Sequence, residues 1–423
     1  MRRVTGRGAG ASGAARPGLL AFARGNAPWL AAGGLMTFAS SFGQTFFIAV
    51  FAGGIREEFA LSHSAWGGAF TLGTLASAAL MLQAGALTDR FRARTLATLL
   101  LVAFAGVCLF AANVSGWWTL AAAIFGLRFC GQGMLYHTAV VSMGRWFAAN
   151  RGRAVALANL GIAAGEAVLP FLFVLLIGWL GWRGGWTAAA VCLLALAPLV
   201  PWLLREERTP ASIPAAEHVA GMGRRHWTRR EAVTHWLFRA TFPGFLAAPV
   251  FSTAFFFQQV HLSEIKGWTL AEFTALFPVY VAASIPVSFL GGWAADRFGA
   301  ARSLFLWPTF LAAGLSAAAL LDGLAGAAAA LALLGAMQGL GTALTGAFWP
   351  EVYGTRNLGA IRAVASSAMV FATALGPGLS GALLDLGVGF EAQLLGMAAY
   401  AAAMAGVFVW AGGRATREAR AGA

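Results

Sequence analysis

Two related stretches of sequence decide the fold: Gly85-Ala-Leu-Thr-Asp89-Arg90-Phe91 and Gly292-Trp-Ala-Ala-Asp296-Arg297-Phe298. Both follow the pattern Gly-x-x-x-Asp-Arg-Phe, they lie 207 positions apart, and the same offset aligns Ser62 with Thr269. A motif that recurs at one long spacing indicates two copies of a single structural unit. Each copy follows directly on an apolar run, so the sequence predicts two equivalent halves that carry the motif at the same end.

The composition excludes a soluble protein. Of the 423 residues, 59% are hydrophobic and 11% are charged, whereas soluble domains carry roughly 25% charged residues. The same numbers exclude a disordered chain and a disulfide scaffold. Twelve apolar segments approach the length of about 20 residues that crosses a bilayer. They cover residues 29–54, 66–87, 95–114, 117–143, 154–178, 185–204, 236–260, 271–293, 303–321, 325–349, 363–384 and 391–411.

We therefore predict an all-α polytopic membrane protein with twelve transmembrane helices, arranged as two parallel six-helix pseudo-repeats. The predicted divisions are a disordered basic cytoplasmic tail (1–28), an N-terminal half (29–204), a central cytoplasmic loop (205–235), a C-terminal half (236–411) and a cytoplasmic tail (412–423). In the central loop, Thr228-Arg-Arg-Glu231 has the spacing of a capping box, which predicts a short helix there.

The basic residues predict the orientation of the chain. Twenty-five of the 29 Lys and Arg residues fall in the termini and alternate loops, and the other loops hold Arg56, Arg183 and Lys266. Cytoplasmic loops carry the basic excess in membrane proteins. We therefore expect both termini and both motif loops to be cytoplasmic, in a multi-pass protein of the bacterial inner (plasma) membrane. The net charge of +13 then reflects topology, and we expect no nucleic-acid partner.

The repeated loop motif predicts a gate. Asp89 and Asp296 lie at the cytoplasmic ends of spans 2 and 8, where a carboxylate can pair with Arg and meet the N-terminal dipole of a neighbouring helix. Breaking such a contact would let one half move against the other. The alternative is that these acids only offset local Arg charge. The remaining gating residues of the motif are Gly85, Arg90, Gly292 and Arg297.

These features resemble the major facilitator superfamily over essentially the whole chain. The resemblance rests on the paired loop motifs, the division into six plus six spans, and Arg128 in span 4. It implies a transporter that works as a monomer, carries a small molecule between its halves and needs no cofactor or metal. Further segments look like the branch of the monocarboxylate carriers and the oxalate–formate exchanger. These are Arg145-Trp146-Phe147 with Arg151-Gly152, Gly161 and Gly165, Gly354-Thr355, and Leu358-Gly359-Ala360-Ile361-Arg362.

The chain also departs from the family pattern. Arg92 stands where the first loop motif usually has Gly, and span 5 lacks the Gly-Pro-x-x-Gly-Gly signature of drug/proton antiporters. Spans 8 and 11, at residues 271–293 and 363–384, contain no Lys or Arg, although the carboxylate branch uses cations there. These differences leave Arg128 as the candidate cation for an anionic substrate.

Spans 4 and 5 supply the predicted wall of the binding cavity in the N-terminal half. Arg128, Gln132 and Tyr136 are spaced i, i+4 and i+8 and share a helix face, and Asn159 and Glu166, seven residues apart, share another. An ionisable residue inside a membrane is usually a functional residue. Since spans 4 and 5 form a hairpin, Arg128 and Glu166 can pair directly or across a substrate. The alternatives are a helix-packing role for Arg128 and a purely neutralising role for Glu166.

Glu166 is the predicted proton-coupling residue, because a carboxyl group gains a proton in a dry cavity and loses it in a wet one. His137 is the second candidate. It lies nine residues from Arg128, about half a turn away, at a depth near that of Glu166. It is expected either to contact Glu166 or to form a hydrogen bond within the helix bundle.

The remaining polar residues are expected either to bind substrate or to be solvated. Substrate-binding candidates outside spans 4 and 5 are Gln44, Gln258, Gln259 and Gln338, and the span-end residues expected to be solvated are Asn113, Asp322 and Asp385.

The leading hypothesis is a proton-coupled secondary transporter of a small organic anion, a carboxylate. Two alternatives are a proton-driven exporter of apolar or cationic compounds and a transporter-like sensor. An enzyme is excluded: Gly378-Leu379-Ser380-Gly381 matches a membrane serine protease motif, but that chemistry needs a later His, and the last one is His261. The chain has no His-Glu-x-x-His metal motif.

Overall fold

The computed structural model describes residues 18–147, 150–206 and 219–421, and within these residues every regular element is helical. The helices before the central segment are α1 (Leu19–Gly25), α2 (Ala27–Ser40), α3 (Thr45–Ile48), α4 (Ala52–Glu58), α5 (His63–Ala84), α6 (Leu87–Arg90), α7 (Ala93–Ala112), α8 (Trp117–Leu127), α9 (Tyr136–Trp146), α10 (Arg151–Leu196) and α11 (Leu199–Leu203). Those after it are α12 (Arg229–Thr234), α13 (Trp236–Phe257), α14 (Gln259–Lys266), α15 (Leu270–Thr274), α16 (Phe277–Phe298), α17 (Ala300–Ser303), α18 (Leu306–Leu320), α19 (Gly323–Tyr353), α20 (Leu358–Asp385) and α21 (Phe390–Ala421).

Within the described ranges, nine helices are long and apolar enough to cross a membrane, or ten when the bent pair 27–43 and 45–58, at 47°, counts as one span. The sequence predicts twelve segments, two more than these ten spans, and the difference arises at two places. Predicted spans 5 and 6 form one continuous stretch, Arg151–Leu203, which Gly181 interrupts with a left-handed φ of 69°. Predicted span 4 is divided because the π-helical segment Arg128–Leu135 lies between α8 and α9.

The bundle has two distinguishable ends. We call the end that carries the loops after α5 and α16 the motif end, and the opposite end, where α5 and α15 begin, the far end. In the N-terminal half, α2 and α7 pack on α10. In the C-terminal half, α16 and α18 pack on α19. The α16–α19 contact is close because Gly335 and Gly339 face the backbone of α16 at Tyr280 and Ser284, and small residues allow helices in membranes to approach each other.

Three connecting segments differ from the sequence prediction. The disordered tail expected up to residue 28 is helical from Leu19, and residues 1–17 lie outside the described residues. The cytoplasmic tail expected from residue 412 continues α21 as far as Ala421. In the central loop, residues 207–218 lie outside the described part, and the remainder is ordered against α19. Both ends can be helical because the backbone hydrogen bonds of a helix are satisfied within the helix.

The predicted capping box in the central loop is confirmed. The Thr228 hydroxyl accepts from the backbone nitrogen of Glu231 at 3.4 Å, and the Glu231 carboxylate accepts from the backbone nitrogen of Thr228 at 2.8 Å. These hydrogen bonds from Thr228 hold the pKa of the Glu231 carboxyl below its ordinary value. The box starts α12, which leads into α13.

Candidate functional site

The two halves meet at the far end through α5 and α20. The carboxylate of Asp385 accepts hydrogen bonds from the backbone nitrogens of His63, at 3.1 Å, and Ser64, at 2.8 Å. About two turns further along α5, the Thr71 hydroxyl donates to the carbonyl oxygen of Ala374 at 2.6 Å. These three hydrogen bonds fix the first half of α5 against the last half of α20.

Aromatic rings fill the space beside this contact. Phe257, the last residue of α13, stacks on Trp66 with ring centroids 5.3 Å apart and contacts Phe70 at 4.8 Å. The Gln259 amide donates to the carbonyl oxygen of Phe46 at 2.8 Å and thereby joins α14 to α3. We call these contacts, with the α5–α20 hydrogen bonds, the far-end contact. It joins the two halves at this end of the bundle.

The motif end is arranged differently. The motif loop of the N-terminal half is paired within its own half. Asp89 forms an ion pair with Arg145 of its own half, and Arg145 also donates to the carbonyl oxygen of Thr88 at 2.7 Å. The predicted pairing of Asp89 with an Arg is therefore present, and it links α6 to the end of α9. Asp296 in the second copy of the motif is exposed.

Arg128 lies at the centre of the N-terminal half with only 1% of its surface exposed. Its Nη1 donates to the carbonyl oxygen of Gly43 at 3.2 Å and to the hydroxyl of Thr45 at 3.3 Å, while Nε and Nη2 are buried without a hydrogen-bond partner. The guanidinium also lies 5.2 Å from the ring centroid of Phe70, within range of a cation–π interaction.

A break in the helix opposite Arg128 creates this environment. Gln44 has an extended backbone, with φ −84° and ψ 155°, so the helix stops at Gly43 and its carbonyl is free to accept from Arg128. The π-helical segment that begins at Arg128 lies directly against this break, because Gly43 and Gly131 let the two backbones touch. Broken helices and π-bulges concentrate at functional sites.

The direct Arg128–Glu166 ion pair is not formed. No carboxylate lies within 4.0 Å of the Arg128 guanidinium among the residues that the structure describes, and Glu166 is half-buried on α10. Arg128 contacts the break between α2 and α3 and the ring of Phe70. Helix α10, which carries Glu166, packs on α2 and also contacts α16. Glu166 is therefore close enough to Tyr280 of α16 for electrostatic interaction. It lies where the two halves meet.

Two predicted residues of spans 4 and 5 are brought together. The Tyr136 hydroxyl lies near the side chain of Asn159, whose Oδ1 is buried without a hydrogen-bond partner. Gln132, one π-helical turn before Tyr136, is half-buried. Tyr136 and Asn159 therefore lie together, with the amide oxygen of Asn159 available to a ligand.

His137 does not contact Glu166, and that alternative is wrong. Its ring lies beside Gly85, where an added Cβ would be 3.5 Å from Nε2, and it forms a hydrogen bond with the Gly85 backbone. The expected depth and direction assumed 3.6 residues per turn. The π-helical segment Arg128–Leu135 uses i→i+5 hydrogen bonds, so it rotates every later residue of the helix. His137 supports the loop motif from inside the bundle.

The four glutamine candidates divide between two places. Gln44 is half-buried at the helix break, and Gln338 is exposed on α19. Gln258 is buried with an unpartnered Nε2, and Gln259 belongs to the far-end contact, where its Oε1 is unpartnered. Gln259 therefore acts in closure. The expectation that Asp385 is merely solvated is wrong, because its carboxylate joins the two halves at the far end. The sequence contained a signal for such a role, since Asp385 is an acid at a helix C-terminus, where the helix dipole disfavours negative charge.

With this geometry in place, the comparison with known proteins identifies the family. Residues 33–306 match the family described as Major Facilitator Superfamily. The chain belongs to the major facilitator superfamily. It is accordingly a multi-pass membrane transporter and not an enzyme.

Solved structures show the same fold. A bacterial homologue of the human lysosomal transporter Spinster, inward-facing and unoccupied, matches with TM-score 0.64 and 17% identity over 93% of this chain and 97% of that chain. Its occupied form matches with TM-score 0.63 and 16% identity over 92% and 96%. The nucleoside transporter NupG matches with TM-score 0.67 and 12% identity over 90% and 98%. No curated protein matches the chain in sequence.

Proposed function

We propose that the protein is a proton-coupled secondary transporter that moves a small organic anion, a carboxylate, by alternating access, and that it acts as a monomer in the bacterial inner membrane. The observation that carries this proposal is the state of Arg128. Its guanidinium is buried with two of its three nitrogens unpartnered and without a carboxylate nearby.

An arginine in this state favours an anionic ligand. A guanidinium has five N–H donors, and two neutral acceptors at Nη1 satisfy only part of them. Burying a charge without a counter-charge is costly. A substrate carboxylate that reaches Nη2 and Nε can accept from both, in the bidentate geometry that arginine and carboxylates prefer. The nearby Oδ1 of Asn159 and the half-buried Gln132 and Gln44 are the proposed polar partners of the rest of the substrate.

The proposed state of the structure is open to the cytoplasm. The basic loops support a cytoplasmic motif end, and the far-end contact joins the two halves on the opposite side. The inward-facing, unoccupied form of the Spinster homologue has a similar fold, which agrees with this assignment. Opening the far end would require breaking the hydrogen bonds between α5 and α20. The loop that is held by the Asp89–Arg145 ion pair would then act as a hinge or latch at the motif end.

Glu166 is the proposed proton site. It lies on α10 opposite Tyr280 of α16, where movement of the halves changes its access to water, and it forms no ion pair. A carboxyl group in such a place gains a proton as the cleft dries and releases it as water returns. Proton transfer would then follow the same motion that exposes the substrate.

Uptake by proteoliposomes tests the proposal. The purified chain would be given labelled monocarboxylates and dicarboxylates, with nucleosides and a lipophilic cation as comparison substrates, with and without an inward proton gradient. Accumulation of carboxylates that collapses with a protonophore is the expected result. Sealed liposomes that take up no carboxylate in either condition would contradict it.

One observation favours a second candidate, the proton-driven export of apolar or cationic compounds. Glu166 has no cationic partner, and Phe256 packs on Tyr280 beside it with ring centroids 5.4 Å apart. A carboxylate beside aromatic rings suits an organic cation. Proton-dependent movement of the lipophilic cation, without carboxylate transport, would select this function.

A further inference from the structure

Two adjoining cavities lie at the motif end of the C-terminal half, outside the proposed transport path. The first has a volume of about 480 Å3 and lies between the central segment, the α16–α17 loop and the ends of α19 and α21. Three arginines line it, Arg224, Arg297 and Arg302, together with the acid Glu351. The lining therefore carries an excess of positive charge.

Among the described residues, no acid forms an ion pair with the arginines of this cavity. None of its three arginines forms a hydrogen bond or ion pair with any residue in 18–147, 150–206 or 219–421. The single acid of the lining is already committed, since the Glu351 carboxylate accepts from the backbone nitrogens of Ala300, at 2.6 Å, and Ala301, at 3.2 Å. An anion that enters the cavity would meet three free guanidinium groups.

One of these arginines is held in an unfavourable backbone conformation. Arg224 has a φ of 53°, in the left-handed region that side chains other than Gly rarely adopt. The segment is fixed in place by the hydrogen bond from Thr355 to the carbonyl oxygen of Val219, at 2.9 Å, and by that from Gly221 to Arg225, at 3.0 Å. Backbone strain of this kind persists where the surroundings impose it, which is common at ligand sites.

The second cavity is apolar and opens beside the first. It has a volume of about 580 Å3 and is lined mainly by hydrophobic residues, which include Trp293, Phe305, Leu306 and Val409. Both cavities share Phe298 and Arg302. Trp293, Phe298 and Val409 are largely exposed. A polar, cationic chamber thus continues into an apolar groove on the outer surface of the helices.

We propose that the two cavities form one binding site for an anionic phospholipid. The phosphodiester group lies among Arg224, Arg297 and Arg302, and an acyl chain lies along the groove between Trp293 and Val409. A free phosphate would use only the first cavity, and a zwitterionic lipid such as phosphatidylcholine would bring its own cationic group close to the arginines. The exposed tryptophan at the mouth suits the interface between head groups and acyl chains.

Binding of defined ligands to the purified full-length chain tests this site. Native mass spectrometry in detergent would titrate phosphatidylglycerol, phosphatidylcholine and glycerol 3-phosphate against the wild type and the double variant Arg297→Gln/Arg302→Gln. Each arginine near an anionic lipid contributes about 1 kcal/mol. The double variant is therefore expected to bind phosphatidylglycerol about thirtyfold more weakly.

The matched control is Arg362→Gln, which removes an exposed arginine near the start of α20, outside both cavities. It is expected to bind phosphatidylglycerol as the wild type does. Val409→Ser tests the groove, because Val409 lines only the second cavity; it should weaken lipid binding while leaving glycerol 3-phosphate binding unchanged.

The proposal is overturned if the wild type binds phosphatidylglycerol and phosphatidylcholine equally, if glycerol 3-phosphate binds as tightly as the lipid, or if the double variant keeps wild-type affinity. The lipid preference of the wild type decides the question even if a variant fails to fold.

Discussion

Asp385 closes the far end by binding the exposed backbone nitrogens of His63 and Ser64, so that one carboxylate at the end of α20 caps the first turn of α5. The cap joins residues more than 300 positions apart, in opposite halves of the chain. A carboxylate at a helix N-terminus satisfies free N–H groups and meets the positive end of the dipole. This contact exists only while the far end is closed.

Asp385→Ala is expected to shift the conformational equilibrium towards a far-end-open form. Loss of a helix cap costs about 1 kcal/mol, roughly a fivefold change in the equilibrium. Cysteine labelling of single-cysteine variants at the far end would measure the change as a faster labelling rate. Asp322→Ala is the control, because Asp322 also lies at the far end but pairs with Lys266 of its own half. Equal labelling of both variants would refute the gate role.

Arg128→Gln is expected to weaken binding of the transported anion by at least tenfold. Hydrogen bonds to a charged group contribute about 1.5–3 kcal/mol. Thr45→Val is the matched control, since it removes one hydrogen-bond partner of Arg128 and keeps the charge. Equilibrium binding of the labelled anion, with circular dichroism to confirm the fold, would measure both. Unchanged affinity in folded Arg128→Gln protein would rule out Arg128 as the anion site.

Glu166→Gln is expected to separate exchange from accumulation. The amide keeps the size of the side chain but cannot carry a proton, so substrate exchange should continue while proton-driven accumulation stops. Tyr280→Phe is the control, because it leaves the Glu166 carboxyl in place. Counterflow and gradient-driven uptake in the same proteoliposome batch give the two rates. A Glu166→Gln variant that still accumulates substrate against its gradient would exclude this residue from coupling.

Gly161→Ala is expected to lower the thermal stability of the protein. An added Cβ would overlap the carbonyl oxygen of Gly34 and the hydroxyl of Thr37, where α10 crosses α2, and overpacking costs about 1–3 kcal/mol. Gly178→Ala, on the same helix, meets nothing within 4 Å of its Cβ and should keep or raise the melting temperature, because Ala favours helix. Equal melting temperatures for the two variants would contradict the close packing of α10 on α2 at Gly161.

Acid pH on the far side is expected to weaken the far-end contact. His261 of α14 lies with its ring 4.6 Å from that of His63. Burial lowers the pKa of His261, as does the charge of Arg56, although the Glu264 carboxylate raises it in part. The closed form therefore prefers neutral His261, and protonation below its ordinary pKa of about 6.5 opposes closure.

The labelling assay used for Asp385 would detect this effect as a rate that rises when the pH falls below about 6.5. The His261→Gln variant should lose part of that dependence, because His63 remains as a second histidine at the contact. A labelling rate that is independent of pH in the wild type would contradict the prediction.

The helices and the family could be predicted from the sequence because long apolar runs and a repeated motif need no knowledge of side-chain contacts. The partners of Arg128 and His137 could not. A helical wheel assumes a constant rotation per residue, and the π-helical segment Arg128–Leu135 changes that rotation in the middle of the predicted site. The partners of Asp385 escaped prediction because they are backbone nitrogens in the other half, which leave no mark on the pattern of side chains.

The hydrogen bonds of the far-end contact have a consequence for how the sequence can change. Four hydrogen bonds of this contact have a backbone atom on one side. No substitution other than one to proline removes a backbone donor, and a backbone acceptor survives every substitution. Apart from proline at a donor position, a substitution can therefore remove these four hydrogen bonds only at three side chains, Thr71, Gln259 and Asp385. The backbone side of each bond survives most changes of sequence, so relatives that share few residues can keep these bonds.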